Sequence, residues 1–277
     1  MKHINKLTAL FLLIILSGCT DVVDVNLDTA EPKLVVEAFI NWEKGTLGNQ
    51  QSIKLTTTGS FYNNTVPVVS GATVKITNST NTVFDFIEIP NTGKYECSNF
   101  IPVLNETYTL LIVSAGQTYL ATETLRSVVP ITSVTQDSNG GISGNKIQVK
   151  ANFSDPGVSE DYYLFNYSYQ NILKPDYYTT DDEFFNGNSF FSLLFETNNG
   201  VDIVQGDVIT ITHYGVSRNH YEFLNKLLSI AGNVGGAPFQ SPPVTVKGNV
   251  INQTNFSNYP LGYFNLSESD KKVYTVE

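Results

Sequence analysis

TYTLLIVSAGQTYLATET, residues 107–124, decides the fold class. Thr107 to Val113 and Thr118 to Thr124 are β-branched and aromatic runs, and Ser114-Ala115-Gly116-Gln117 between them is a glycine-bearing connection of hairpin length. The same grammar extends to either side. Upstream stand Leu34-Val35-Val36-Glu37-Ala38-Phe39-Ile40, Ser52 to Thr56 and Ala72 to Thr77. In the latter two, Ile53 with Leu55 and Val74 with Ile76 alternate with polar neighbours, the period of a half-buried strand. Turns recur at the spacing of an immunoglobulin-like β-sandwich over residues 31–128, without the Cys-Trp-Cys pattern of antibody domains.

Residues 129–277 read as a second β-rich domain. Asp137 to Asn145 is polar and glycine-rich and reads as a flexible loop or domain junction. Lys146–Phe153, Tyr162–Tyr169, Ser189–Glu196 and Asp207–Tyr214 are strand-like, and strands resume from Val244. One amphipathic helix interrupts them. Ser217 is its cap, Tyr221, Leu224, Leu228 and Ala231 form its apolar stripe, Glu222 can pair with Lys226, and Gly232 or Asn233 closes it. The expected class is mainly β, with two β-sandwich-like domains, the second carrying this helix.

The chain begins differently. Lys2, His3 and Lys6 precede an apolar run from Leu7 to Leu16 that is too short to span a bilayer, so residues 1–18 read as a signal peptide. Leu16-Ser17-Gly18-Cys19 resembles a bacterial lipobox, in which the cysteine becomes the first mature residue and carries acyl chains. Two or more chains anchor stably where one does not. Residues 19–30 are then a tether. Asp21 and Asp24 resemble a surface-export signal of Bacteroidota lipoproteins, and Asp28-Thr29-Ala30 is similar to that phylum's O-glycosylation triplet, with Thr29 the acceptor. The expected location is the outer membrane, with the cell surface favoured over the periplasmic face.

The full chain has 26 acidic and 16 basic residues, and loss of Lys2 and Lys6 with the signal leaves 26 against 14, a net charge of −12. That sign disfavours nucleic acid and anionic headgroups as partners. After processing Cys97 is the remaining free cysteine, so no internal disulfide can form, and burial is its expected state. Asn-x-Ser/Thr triplets such as Asn78-Ser79-Thr80 are discounted behind a lipobox.

Several stretches together resemble a family of Bacteroidota lipoproteins, DUF4249. They are Cys19, Leu34-Val35-Val36-Glu37, Gly71-Ala72-Thr73-Val74 with Gly93-Lys94-Tyr95, Asp155-Pro156 before Tyr162-Tyr163, Gly248-Asn249-Val250 and Pro260-Leu261-Gly262-Tyr263-Phe264. The resemblance implies a lipid-anchored, mostly β envelope protein often encoded beside TonB-dependent receptors. It carries no catalytic residues over.

No catalytic or metal constellation is recognisable, and no cofactor is expected. His213 and His220 can be neighbours but lack carboxylates at ligand spacing, so a structural pair is expected. Gly215-Val216-Ser217-Arg218-Asn219 lacks the second glycine of a nucleophile elbow. Asp137-Ser138-Asn139 begins like a calcium loop, but Gln148 stands where its glutamate belongs. Tyr163, Phe165, Tyr167 and Tyr169 share one strand face, expected to be core, with a solvated face carrying Asn166 and Ser168 behind it. Residues 171–188 read as a long connection without period. Its Tyr177, Tyr178, Asp181, Asp182 and Glu183 are the candidate contact residues, since rings and carboxylates suit recognition. Asp181 and Asp182, being adjacent, point apart and cannot form a glycosidase pair. The leading expectation is a binding protein accessory to a TonB-dependent transporter or envelope complex. The alternatives are a surface glycan- or peptide-degrading enzyme and an adhesive module.

Overall fold

The structure is a computed structural model that describes residues 31–59, 65–141, 144–197, 200–231 and 245–277. Cys19, Thr29, the signal and the tether lie outside the described residues, as do Gly232, Asn233 and Val244. The first half contributes β1 (Leu34–Glu43), β2 (Gln51–Thr57), β3 (Thr73–Asn78), β4 (Val83–Ile89), β5 (Lys94–Cys97), β6 (Thr107–Ser114) and β7 (Gln117–Thr124). The second contributes β8 (Ser133–Gly140), β9 (Lys146–Ser154), β10 (Tyr162–Tyr169), β11 (Ile172–Asp181), β12 (Ser189–Leu194) and β13 (Val208–Val216). Helix α1 (Arg218–Ile230), β14 (Ile251–Asn252) and β15 (Leu261–Thr275) complete it. The fold is mainly β, with one helix among the described residues.

The expected hairpin is present, with β6 paired to β7 from Thr107↔Thr124 to Ser114↔Gln117. Twelve strands form one sheet in the order β11-β10-β13-β15-β1-β2-β5-β4-β3-β6-β7-β14, and β12-β9-β8 form a second. β4 turns the large sheet back on itself: Val83 to Phe86 pair with β3, whereas Ile87 to Ile89 pair with β5. A strand that changes partners midway is how a sandwich makes its corner. The layers it joins enclose one core, with Val36, Ile40, Ile53, Leu55, Ile76, Tyr108, Leu110 and Ile112 almost wholly buried. A second core lies between the β10–β13 region and the three-stranded sheet, around Val149, Phe153, Tyr163, Phe165, Tyr167, Ile209 and Ile211.

The first core draws on residues up to Leu125 and the second on residues from Val128, but the C-terminal strand serves both. Residues 261–269 of β15 run parallel to β1 and bury Phe264 and Leu266 in the first core. Residues 269–275 pair antiparallel with β13. The crossover segment is bound to β15 by its carboxylates. Glu268 accepts from the Val128 amide at 3.0 Å and pairs with Lys44 at 2.7 Å, and Asp270 accepts from the Ile131 amide at 2.8 Å. Pro32 to Glu277 accordingly forms one compact unit.

Two family-like stretches meet where β15 begins. Gly262 has φ +90°, and a Cβ there would collide with the Val36 carbonyl; a Cβ on Gly248 would collide with the Gly262 carbonyl. Only glycine permits both that backbone and that approach. Asn249 locks the contact, donating to the Phe264 carbonyl and accepting from its amide.

Three local expectations are corrected. Asp137 to Gly140 is the end of strand β8, paired with β9 through a bulge, rather than a flexible loop or junction, and the calcium-loop-like triplet is part of that strand. Glu222 pairs with Arg218 at 3.2 Å, four residues earlier, rather than with Lys226. Strand structure in the C-terminal segment comprises the two-residue β14 and the 15-residue β15.

Candidate functional site

Residues 172–181 form a strand, not the long connection expected from their lack of period. A tight turn at Gln170-Asn171 returns the chain along β10, with Tyr162 opposite Asp181 and Phe165 opposite Tyr178. Pro175 obscured this in the sequence. As the outermost strand of the sheet, β11 tolerates a residue with no amide to donate. The pleat then separates the candidate contact residues. Tyr178 packs edge-on to Tyr167 at 5.6 Å in the second core, while Tyr177 lies half-exposed on the other face. Tyr163, Phe165 and Tyr167 are core, with Tyr169 packed against them. The face behind is not solvated as expected: Leu164 and Asn166 are buried, because α1 lies across β10 and β11.

Helix α1 starts where the sequence indicates. The Ser217 hydroxyl accepts from the His220 amide at 3.2 Å and donates to Glu123 at 2.9 Å. The helix is pinned by Thr179 donating to Asn225 at 2.6 Å, and Tyr221 donates to Asp181 at 2.8 Å. Beside it opens a cleft of about 290 Å³. Five carboxylates line it, from Glu160, Asp181, Asp182, Glu183 and Glu222, against the single guanidinium of Arg218. The rings of Tyr162 and Tyr221 stand 5.1 Å apart along its wall. Burial, reinforced by a hydrogen bond to Glu160, pushes the Tyr162 phenol up to about 12. Asp181, Asp182 and Glu183 are therefore brought together on the cleft, and Tyr177 and Tyr178 are not.

Asp181 accepts from Tyr221, whereas Asp182 belongs to a cluster with no local sequence signal. One carboxylate oxygen each from Asp155, Asp161 and Asp182 lies within 4.8 Å of the other two. Asp155 comes from the β9–β10 loop, Asp161 from the end of that loop, and Asp182 from the turn after β11. The Asp182 amide donates to the Asp161 carbonyl at 3.1 Å, and the Asp155 amide donates to the Asn188 carbonyl at 3.0 Å, so backbone fixes the two loops together. Asp155 is 5% exposed and accepts three hydrogen bonds: from Tyr163 Oη at 2.6 Å, and from the Gly157 and Gly187 amides at 3.2 and 2.9 Å. Asp161 accepts from Ser159 at 2.8 Å. Burial pushes the Asp161 carboxyl up, the neighbouring charges of Asp155 and Asp182 add to it, and Ser159 and the charge of Arg126 partly offset it. Asp182 is 1% exposed, and its Oδ2 has no hydrogen-bond partner. Two ionised carboxylates at that separation repel by roughly 3.5 kcal/mol at an effective dielectric near 20.

The two loops also expose apolar side chains beside these acids. Val158 is 90% exposed and Phe184 89%. Gly157 and Gly187 are in backbone contact, and Asn186 donates to the Ser159 carbonyl at 3.2 Å, so the loops that carry them are neighbours.

The histidines are structural but not a pair. His213 faces the second core, stacked on Phe165 at 4.2 Å, whereas His220 lies against Tyr263 at 4.6 Å with Phe39 at 6.0 Å. Phe39 also touches Tyr214, the residue after His213, which the pleat sends to the opposite face. Cys97 is buried and its thiol is pushed up by that burial. Tyr95 beside it bridges the Ala72 amide and the Val69 carbonyl, so the family-like Gly71–Val74 and Gly93–Tyr95 stretches hold strands together.

Two cores sharing a C-terminal strand, with an acidic ring-lined cleft beside α1, define a mainly β fold. The chain belongs to the DUF4249 family, described as a domain of unknown function, whose profile matches residues 20–273. No curated protein matches it in sequence. Among solved structures it is similar to a two-domain fibronectin type-III segment from chicken tenascin, at 14% identity over 66% of this chain and 90% of that one, TM-score 0.22. A DUF4785 family protein from Legionella pneumophila matches at 7% identity over 66% and 52%, TM-score 0.26. A cytokine receptor complex matches at 10% identity over 68% and 87%, TM-score 0.26.

Proposed function

We propose that this chain is a lipid-anchored binding protein of the outer-membrane surface, accessory to a TonB-dependent transporter or a related envelope complex, and that it acts by recognition rather than turnover. Acyl chains on Cys19 hold it, the segment to residue 30 with Asp21, Asp24 and the glycan acceptor Thr29 is the tether, and the folded unit presents the contact surface. The observation that carries the reading is the juxtaposition of exposed Phe184 and Val158 with the acidic cleft around Asp181, Glu183 and Tyr221. An exposed ring beside charge suits a protein contact in which the ring anchors in a pocket and the charges select the partner. Tethering confines the chain near a membrane partner at an effective concentration on the order of millimolar, so a modest intrinsic affinity suffices.

Co-purification tests it. Tagged chain from outer membranes solubilised in mild detergent retains a β-barrel partner, and Phe184→Ala reduces that recovery at least tenfold with unchanged unfolding. Recovery of no barrel protein by the wild type overturns the reading.

One observation favours a surface hydrolase as a second reading: five carboxylates line the open cleft, and glycoside hydrolysis needs two. It requires turnover of a glycan or peptide by the purified chain that Glu183→Gln abolishes, and inertness across such substrates counts against it.

A further inference from the structure

We propose that Asp155, Asp161 and Asp182 bind one divalent cation of the calcium class, which ties the β9–β10 loop to the turn after β11. The geometry suits a single ion. Two ligands on opposite sides of an ion, each at about 2.4 Å, are about 4.8 Å apart, so oxygens that all lie within 4.8 Å of one another can touch one cation together.

A second observation is independent of that clustering. Asp182 Oδ2 is buried and has no hydrogen-bond partner, in a residue only 1% exposed. A buried carboxylate oxygen left unpaired is costly, and proteins normally supply a donor or a countercharge. Among the described residues no lysine, arginine or histidine forms an ion pair with any of the three aspartates, and the one cation acting on them, Arg126 on Asp161, does so from beyond pairing distance. A dication supplies both the missing partner and most of the missing charge.

The donor set selects the ion. All three ligands are hard carboxylate oxygens, with neither thiolate nor imidazole among them, which favours calcium or magnesium over zinc. Magnesium keeps several waters in a strict octahedron, whereas this cluster is closed on the Asp155 and Asp182 sides, which favours calcium. Because Asp182 also lines the cleft, the ion would set the position of one cleft wall. The inference does not depend on any partner: cation binding and receptor binding are measured separately and fail separately.

The test uses the full mature chain, stripped with chelator and titrated with calcium chloride by calorimetry, with thermal unfolding followed by circular dichroism. The expected result is one ion per chain and an unfolding midpoint raised by about 5 °C at about 5 mM calcium. Magnesium gives a smaller rise. Asp182→Asn and Asp161→Asn each weaken calcium binding at least tenfold. Asp161 is only half-buried and accepts one side-chain hydrogen bond, so its amide variant keeps the test sound if the Asp182 variant fails to fold. Absence of calcium binding by the stripped wild type overturns the proposal, as does unchanged affinity in Asp161→Asn. A magnesium response equal to that of calcium overturns the choice of ion.

Discussion

Replacing His213 with Phe should flatten the acid side of the stability profile. His213 is enclosed by Phe153, Tyr163 and Phe165, with ring centroids at 4.9, 4.8 and 4.2 Å, and neither nitrogen finds a hydrogen bond of good geometry. Burial lowers its pKa from 6.5 to about 3; the nearby Val129 backbone favours the proton slightly, and Lys44 opposes it. The unfolded chain therefore binds a proton that the folded chain refuses between those two values. Stability is fully present above pH 6.5 and falls as the pH drops toward 3. Between pH 7 and pH 5 the loss from this one residue is about 2 kcal/mol. His220, also lowered to about 3 by burial and only partly compensated by Asn265, adds a similar loss. Urea unfolding followed by far-ultraviolet circular dichroism at pH 7, 6 and 5 measures the difference directly. His213→Phe should lose about 2 kcal/mol less than the wild type over that range, whatever the change in absolute stability from the larger ring. Parallel pH profiles for the two proteins would refute the buried neutral imidazole.

Gly262→Ala should cost about 3 kcal/mol or more, since a Cβ there meets the Val36 carbonyl and the left-handed backbone is itself strained for alanine; a urea midpoint close to wild type contradicts it. Ser217→Ala removes the helix cap and one of the partners of Glu123, and is expected to cost about 1–2 kcal/mol in the same assay. Cys19→Ala should release the protein from washed membranes with its circular dichroism and unfolding midpoint unchanged; retention in the membrane pellet contradicts the anchor.

Period and punctuation carried most of the architecture. The hairpin at 107–124, the alternation in β2 and β3 and the run Tyr162–Tyr169 all became strands because their patterns are local. The failures have local causes too. Pro175 and a mixed polar composition disguised β11, whose place at a sheet edge is a property of the whole topology and not of its own residues. Asp137 to Gly140 looked like a linker because strand β8 is polar and mostly exposed, and its pairing with β9 comes from the far side of a turn. The cleft was legible in part: Asp181, Asp182 and Glu183 stood out as adjacent acids near rings, yet α1, which supplies Tyr221 and Arg218, arrives from some 40 residues further on. The three-aspartate cluster was invisible. Asp155 and Asp182 are brought together by strand pairing across 27 positions, and no short motif encodes such a meeting.

Recognition of a membrane partner through the edge that carries Phe184 and the acidic cleft is tested by photocrosslinking in intact cells. A photoreactive residue at exposed position 183, with Cys19 intact, should yield one dominant adduct with an outer-membrane barrel protein, and the adduct should vanish when Phe184 is also changed to Ala. The same probe at Thr122, exposed on β7 of the other sandwich, should yield little. Equal labelling from both positions, or an adduct at 183 that survives loss of the Phe184 ring, would rule out recognition through this edge.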